Sequence, residues 1–268
     1  MKKMNSVVFG VTMCLPGLAM ACGPDTDCQI EGGDYRIRMP DMPEAERPGA
    51  IVFAHGYRGS SQGTMGNGNL EKLAQELGVA LLALTASADD WTIANSPQEG
   101  RVPQRDEVAY AANVVDDAVA KFGIDPDRVL ATGFSAGGMM TWTLACFDSA
   151  GYAGFAPLAG TFWAPEPQTC DSPPANLIHY HGTADGMVPL AGRPIAQTKQ
   201  GDVTKVIEMY AAFGDYADQE ASQPLDGLSC TAMRNPDGKT LELCTFDGGH
   251  TFKVEYIRRA WEMFVPGA

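Results

Sequence analysis

A chain of 268 residues with a hydrophobic fraction of 45% is long enough for one substantial core, and no repeat, heptad pattern or low-complexity tract points to a fibrous or disordered protein. Its formal charge of −14 disfavours nucleic acid and anionic membrane surfaces as partners and suits neutral substrates.

The chain starts with a basic pair, Lys2 and Lys3, and an apolar stretch over 7–20. That stretch is interrupted by Gly10, Pro16 and Gly17 and is too short to span a bilayer. Ala19-Met20-Ala21 fits a small-x-small cleavage site, so residues 1–21 read as a signal peptide and 22–268 as a single domain. The expected location is secreted or periplasmic. Cys22 follows the site directly, which raises lipidation; Ala19 in place of an aliphatic residue argues against it. With Cys14 removed, six of the seven cysteines remain, an even number that implies disulfides in an exported chain. Sequence proximity favours Cys22–Cys28, Cys146–Cys170 and Cys230–Cys244. The alternative is buried thiols acting as small hydrophobes. The absence of a Cys-x-x-Cys pair argues against a zinc ribbon or a thioredoxin-type motif.

Alternation over 33–39 predicts a strand with one solvated face. The apolar runs 50–54 and 79–84 predict strands buried on both sides, as in a parallel sheet. Helical spacing appears over 70–77, and most clearly over 106–122, where Gly123 marks the stop. Further strands are expected at 128–132, 154–159 and 176–181, a helix at 203–213, and an amphipathic helix at 253–264. Residues 230–233 and 241–246 can pair as a hairpin turning at Asn235-Pro236-Asp237-Gly238. Segments 85–103 and 160–174 read as long loops. Strands alternating with helices in this way predict an α/β domain: a mostly parallel, doubly wound sheet with helices on both faces.

Gly133-Phe134-Ser135-Ala136-Gly137 lies between the 128–132 strand and a helical stretch from Gly138. Gly-x-Ser-x-Gly in a strand–turn–helix setting is the signature of a nucleophile elbow: a serine on a sharp turn needs small neighbours, and the helix aims N–H groups at an oxyanion. A Gly-rich turn with an idle serine is the plainer alternative. Among four histidines, His250 follows Asp247-Gly248-Gly249 in a loop from which an imidazole can reach a serine. His55, His179 and His181 read as structural groups or supporting donors. Asp185, in the loop after a predicted strand, is the favoured acid, ahead of Asp247, Asp148 and Asp171. The order Ser135, Asp185, His250 is that of an α/β-hydrolase triad. Oxyanion donors are expected from the N–H groups of Ala136 and Tyr57, the latter in the His55-Gly56-Tyr57-Arg58-Gly59 loop. That loop lacks the Lys-Ser/Thr ending of a phosphate-binding P-loop. Trp91 and Trp163 lie in loops at the ligand-binding edge of such a sheet and could bind substrate or pack a loop.

The stretches Asp125-Pro126-Asp127-Arg128-Val129, Gly133 to Met140, and His181-Gly182-Thr183-Ala184-Asp185 with Val188-Pro189 resemble the polyhydroxybutyrate depolymerase and feruloyl esterase-like branch of the α/β hydrolases, related to carbohydrate esterase family 1. The resemblance covers roughly Gly33 to Phe264. It implies a cofactor-independent, metal-free serine esterase with Ser135 as nucleophile, Asp185 as acid and His250 as base. The expected substrates are small or polysaccharide-linked esters, feruloyl, aryl or short-chain acyl, with hydroxyalkanoate oligomers possible; the expected state is a monomer. The linker and substrate-binding module of large polyester depolymerases are missing from this pattern. A serine peptidase or thioesterase on the same scaffold, and a non-catalytic carbohydrate-binding module, are the alternatives.

Overall fold

The structure, a computed structural model, describes residues 22–221 and 227–268. The expected signal peptide lies outside the described residues. In chain order the elements are β1 (Cys28–Ile30), β2 (Gly33–Arg38), β3 (Ala50–Ala54), α1 (Ser61–Met65), α2 (Gly68–Leu77), β4 (Ala80–Leu84), α3 (Glu107–Phe122), β5 (Val129–Phe134), α4 (Ala136–Phe147), β6 (Gly154–Leu158), β7 (Trp163–Ala164), β8 (Leu177–Gly182), β9 (Pro194–Ile195), β10 (Thr198–Gln200), α5 (Val203–Phe213), β11 (Ala217–Ala221), β12 (Leu228–Arg234), β13 (Thr240–Phe246) and α6 (Val254–Phe264).

The uninterrupted apolar runs form the centre. Among the described residues the main sheet has ten strands in the order β1-β2-β4-β3-β5-β6-β8-β13-β12-β11. From β4 to β13 neighbouring strands are parallel. An antiparallel pair closes each edge, β1–β2 on one side and β12–β11 on the other. Alternate strand residues separate into two cores: Val52 and Ala54 pack with Tyr110, Trp142 and Tyr210 of α3, α4 and α5, whereas Ile51 and Phe53 pack with Leu70, Leu73 and Trp261 of α2 and α6. Helices therefore cover both faces, as the doubly wound reading requires.

Local chemistry sets the helix ends. The Asp106 carboxylate accepts the N–H groups of Val108 and Ala109 to start α3, and Gly123 ends it in the left-handed region at φ 71°. Asn67 caps α2 in the same way. The residues of α4 from Ala136 to Cys146 are all buried, because the sheet lies under it and α3 and the 148–175 segment surround it.

Three disulfides join Cys22–Cys28, Cys146–Cys170 and Cys230–Cys244, the pairs that proximity favours. Cys230 and Cys244 face each other directly across the β12–β13 hairpin, whose turn is closed by Gly238 N–H donating to Asn235 C=O. A sulfur of Cys22 held in a disulfide is not free to carry a lipid thioether, so the lipidation alternative does not fit this structure. No described helix is long and apolar enough to cross a membrane.

Several short elements have no counterpart in the sequence reading. The loops expected at 85–103 and 160–174 are real, but Trp163 of the second enters a small sheet, β7-β10-β9. Strands of two or three residues are too short for any periodicity to register.

Candidate active site

Ser135 sits at φ 60°, ψ −118°, a left-handed conformation that costs a non-glycine residue energy and is typical of functional turns. The turn is held by Ser135 N–H donating to Leu158 C=O (2.9 Å) and Met139 N–H donating to Ser135 C=O (3.0 Å). The flanking glycines are sterically required. A Cβ on Gly137 would lie 1.8 Å from the Ala54 carbonyl oxygen, and one on Gly133 would lie 2.3 Å from the Gly137 oxygen. The elbow can be this tight only because β3, β5 and α4 approach backbone to backbone.

The loops after β8 and β13 are joined to each other. Thr183 N–H donates to Phe246 C=O and Ala184 N–H to Gly248 C=O, both at 2.9 Å. A Cβ on Gly182 would collide with the Gly248 and Gly249 oxygens at 2.4 Å. This junction sets Asp185 against His250, with His250 Nδ1 2.6 Å from Asp185 Oδ2. Asp185 Oδ1 accepts the N–H groups of Met187 and Val188 at 2.8 Å each. The His250 ring packs on Phe134, the residue before Ser135, with ring centroids 4.6 Å apart. Ser135, Asp185 and His250, far apart in sequence, follow the ends of β5, β8 and β13; Asp185 and His250 are bonded to each other, and the His250 ring lies on the residue before Ser135. Of the candidate acids, Asp185 is the one hydrogen-bonded to His250; Asp148 caps the far end of α4.

The loop after β3 lies beside the elbow. Arg58, at φ 59°, donates its N–H to Asp89 C=O at 2.7 Å. His55 is buried beneath this loop. Its Nε2 accepts Ala86 N–H (3.3 Å), which leaves Nδ1–H to donate to Gly56 C=O (2.9 Å). Burial lowers its pKa, against the Gly56 hydrogen bond, so it stays a neutral structural group.

A cavity of about 430 Å³ opens at Ser135 and Ala136. Trp163, Met139, Val188 and Ile195 give it apolar walls. Its polar lining is Asp90, Gln98, Arg101, Arg193 and Gln200, with the exposed Tyr57 and Met187 beside them. Asp90 is pushed up to about 6, chiefly by burial, against the Trp91 N–H bond and with help from Glu107 and Asp89. Trp163 therefore reaches the cavity. Trp91 does not line it: its indole is 1% exposed, donates to His55 C=O at 2.9 Å, and pins the 85–103 loop to the domain. Burial inside the protein, and not substrate contact, explains that tryptophan. Asp90, Arg193, Ile195 and Gln200 have no role in the sequence reading, and Val188 enters it only through the family resemblance. They come from segments whose meeting is purely three-dimensional.

Comparisons with known proteins bear on the family and the fold. Residues 87–221 match the family described as phospholipase/carboxylesterase. Feruloyl esterase C of Emericella nidulans is 24% identical over 233 residues, covering 83% of this chain and 77% of that one. NocK of Nocardia uniformis subsp. tsuyamanensis, which carries the name of an esterase, is 29% identical over 242 residues, covering 81% and 70%. Among solved structures, an acetyl xylan esterase from Aspergillus awamori superposes with a TM-score of 0.61 at 16% identity, covering 90% of this chain and 96% of that one; a likeness at that identity shows the shared fold. The chain belongs to the phospholipase/carboxylesterase family and is a carboxylic-ester hydrolase of the α/β-hydrolase fold.

Proposed function

We propose that the protein is an exported serine esterase acting through Ser135, His250 and Asp185, with residues 1–21 as its signal peptide and 22–268 as its catalytic domain. The observation that carries the reading is the 2.6 Å contact of His250 Nδ1 with Asp185 Oδ2, beside a serine held at φ 60°. A carboxylate on Nδ1 fixes the proton there and leaves Nε2 as the base. His250 removes the Ser135 proton, Ser135 Oγ attacks the ester carbonyl, and the tetrahedral oxyanion is held by backbone N–H groups. Ala136 supplies one from the start of α4. Tyr57 supplies the other, since Arg58 N–H is already engaged by Asp89 C=O. His250 then protonates the leaving alcohol and activates the water that releases the acid, while Asp185 stabilises the imidazolium.

The substrate class we favour is feruloyl, aryl or short-chain acyl esters, free or attached to polysaccharide. The named activity of the feruloyl esterase relative supports this choice, as does a cavity of about 430 Å³ with one tryptophan and several aliphatic walls. Three disulfides are consistent with export. The test is a panel of p-nitrophenyl acetate to decanoate, methyl ferulate, acetylated xylan and a hydroxybutyrate oligomer, each set against Ser135→Ala. Ser135-dependent turnover of methyl ferulate or acetylated xylan is expected. Cleavage confined to hydroxybutyrate oligomers would replace this substrate class with the polyester one.

A further inference from the structure

His179 and His181 take no part in the proton transfers above, yet both are completely buried on one face of β8. An aliphatic pair would fill the same space without the cost of desolvating two imidazoles. What the histidines add is a directed chain of hydrogen bonds. Trp142 Nε1 lies 3.2 Å from His179 Nδ1. His179 Nε2 lies 2.9 Å from His181 Nδ1, and His181 Nε2 lies 2.7 Å from Val188 C=O.

The two ends of this chain fix every proton in it. An indole N–H only donates, so His179 Nδ1 accepts and its Nε2 carries the hydrogen. His181 Nδ1 must then accept from His179. A carbonyl only accepts, so His181 Nε2 carries a hydrogen and donates to Val188. Both rings are neutral, each in a single tautomer. An added proton on either Nδ1 would face another N–H, so charging the pair breaks the chain. Burial drives both in the same direction: desolvation first and then His181 lower His179 well below the usual imidazole range, and desolvation lowers His181 against the pull of Val188 and Asp185. The titratable groups bearing on the pair are Asp185 and His250 above it, and Tyr210 of α5 against Trp142.

The chain ends at the catalytic loop. Val188 is held from both sides, its C=O by His181 and its N–H by Asp185 Oδ1 at 2.8 Å. His181 Nε2 is 3.6 Å from Asp185 Oδ2, too far for a hydrogen bond but close enough to present a positive N–H dipole to the oxygen that faces His250. We propose that Trp142, His179 and His181 form a one-way hydrogen-bonded strut, with His181 as the positioning residue that holds Val188 and thereby aims Asp185 at His250. This inference rests on the reading of Asp185 as the catalytic acid.

The experiment compares His181→Phe, His181→Gln and His181→Asn with the wild type and with Asp185→Asn, using p-nitrophenyl acetate and rates expressed per folded enzyme. Phenylalanine fills the space without a donor. The glutamine amide nitrogen reaches the place of Nε2, and the asparagine amide stops short of Val188. In His181→Phe and His181→Asn, kcat should fall by about 10–100-fold with KM within about twofold, the signature of a misaimed catalytic group. The acid limb of the kcat/KM profile should move to lower pH, because a displaced Asp185 stabilises the His250 imidazolium less. His181→Gln should recover most of kcat and restore the limb. If phenylalanine prevents folding, the glutamine–asparagine comparison decides. Equal losses in glutamine and asparagine with an unmoved acid limb would reduce His181 to packing and overturn the strut, as would wild-type kcat in the asparagine variant. Collapse of activity in Asp185→Asn alone would remove the strut and leave the triad standing. Full activity in Asp185→Asn would remove both.

Discussion

Asp185 divides its two oxygens between different partners: Oδ2 meets His250 Nδ1 at 2.6 Å, while Oδ1 accepts the N–H groups of Met187 and Val188. That division makes the outcome of Asp185→Asn specific. Two backbone donors demand the amide oxygen at the Oδ1 position, so the NH₂ group must point at His250. The imidazole then has to accept at Nδ1 and carry its proton on Nε2, the wrong tautomer for a base. Activity should fall by about 10³–10⁴-fold in kcat with the fold retained. Steady-state kinetics with circular dichroism on the same sample checks this, and a loss below about tenfold would contradict it.

Gly137→Ala tests whether the elbow is as tight as it looks. The added methyl would start 1.8 Å from the Ala54 oxygen, which belongs to β3 and cannot move without disturbing the sheet centre. The start of α4 must shift instead, carrying Ala136 N–H and Ser135 with it. The expected result is a loss of about 1–3 kcal/mol in stability and about 100-fold or more in kcat/KM. Denaturant unfolding and esterase assays measure the two effects separately.

The raised pKa of Asp90 predicts a pH-dependent stability. Asp90 is 6% exposed, and burial pushes its carboxyl up to about 6, from about 3.8 for a free aspartate. As pH rises from about 4 to 6, the unfolded chain gives up this proton while the folded one keeps it, so stability falls. The loss is complete above pH 6 and is on the order of 3 kcal/mol. Asp90→Asn preserves the oxygen that accepts Trp91 N–H and removes the charge. The variant should match the wild type near pH 4 and exceed it in denaturant midpoint at pH 8. Equal midpoints at pH 8 would contradict the burial of a charge there.

The two loop tryptophans should separate cleanly. Trp91→Phe leaves the His55 carbonyl without its indole donor and should cost about 1–3 kcal/mol in unfolding free energy. It should leave the ratio of kcat/KM for methyl ferulate over p-nitrophenyl acetate unchanged. Trp163→Phe alters the cavity wall and should change that ratio. The same two assays on both variants check the contrast.

The elements legible in the sequence were those whose physics is local. Uninterrupted apolar runs such as 50–54 and 79–84 read as buried strands, the stripe on 106–122 has one apolar face, and a serine between two glycines at a strand–helix junction has little choice of geometry. Chain order singled out Asp185 and His250 because each follows a strand on the same edge of the sheet. The cavity was not legible. Gln200 comes to it because β10 pairs with β7 opposite Trp163, a register between segments of two and three residues. Trp91 is a tryptophan in a loop by sequence; only the position of the His55 carbonyl turns it inward. The His179–His181 pair read as structural, and its direction became readable once Trp142 and Val188 stood at its two ends.

The nucleophile is identified most directly by mass-spectrometric mapping of the residue acylated or phosphonylated when the purified protein is incubated with p-nitrophenyl acetate or a fluorophosphonate. One adduct is expected, on Ser135, absent in Ser135→Ala together with ester turnover. An adduct on another residue, or ester hydrolysis that persists in Ser135→Ala, would contradict it.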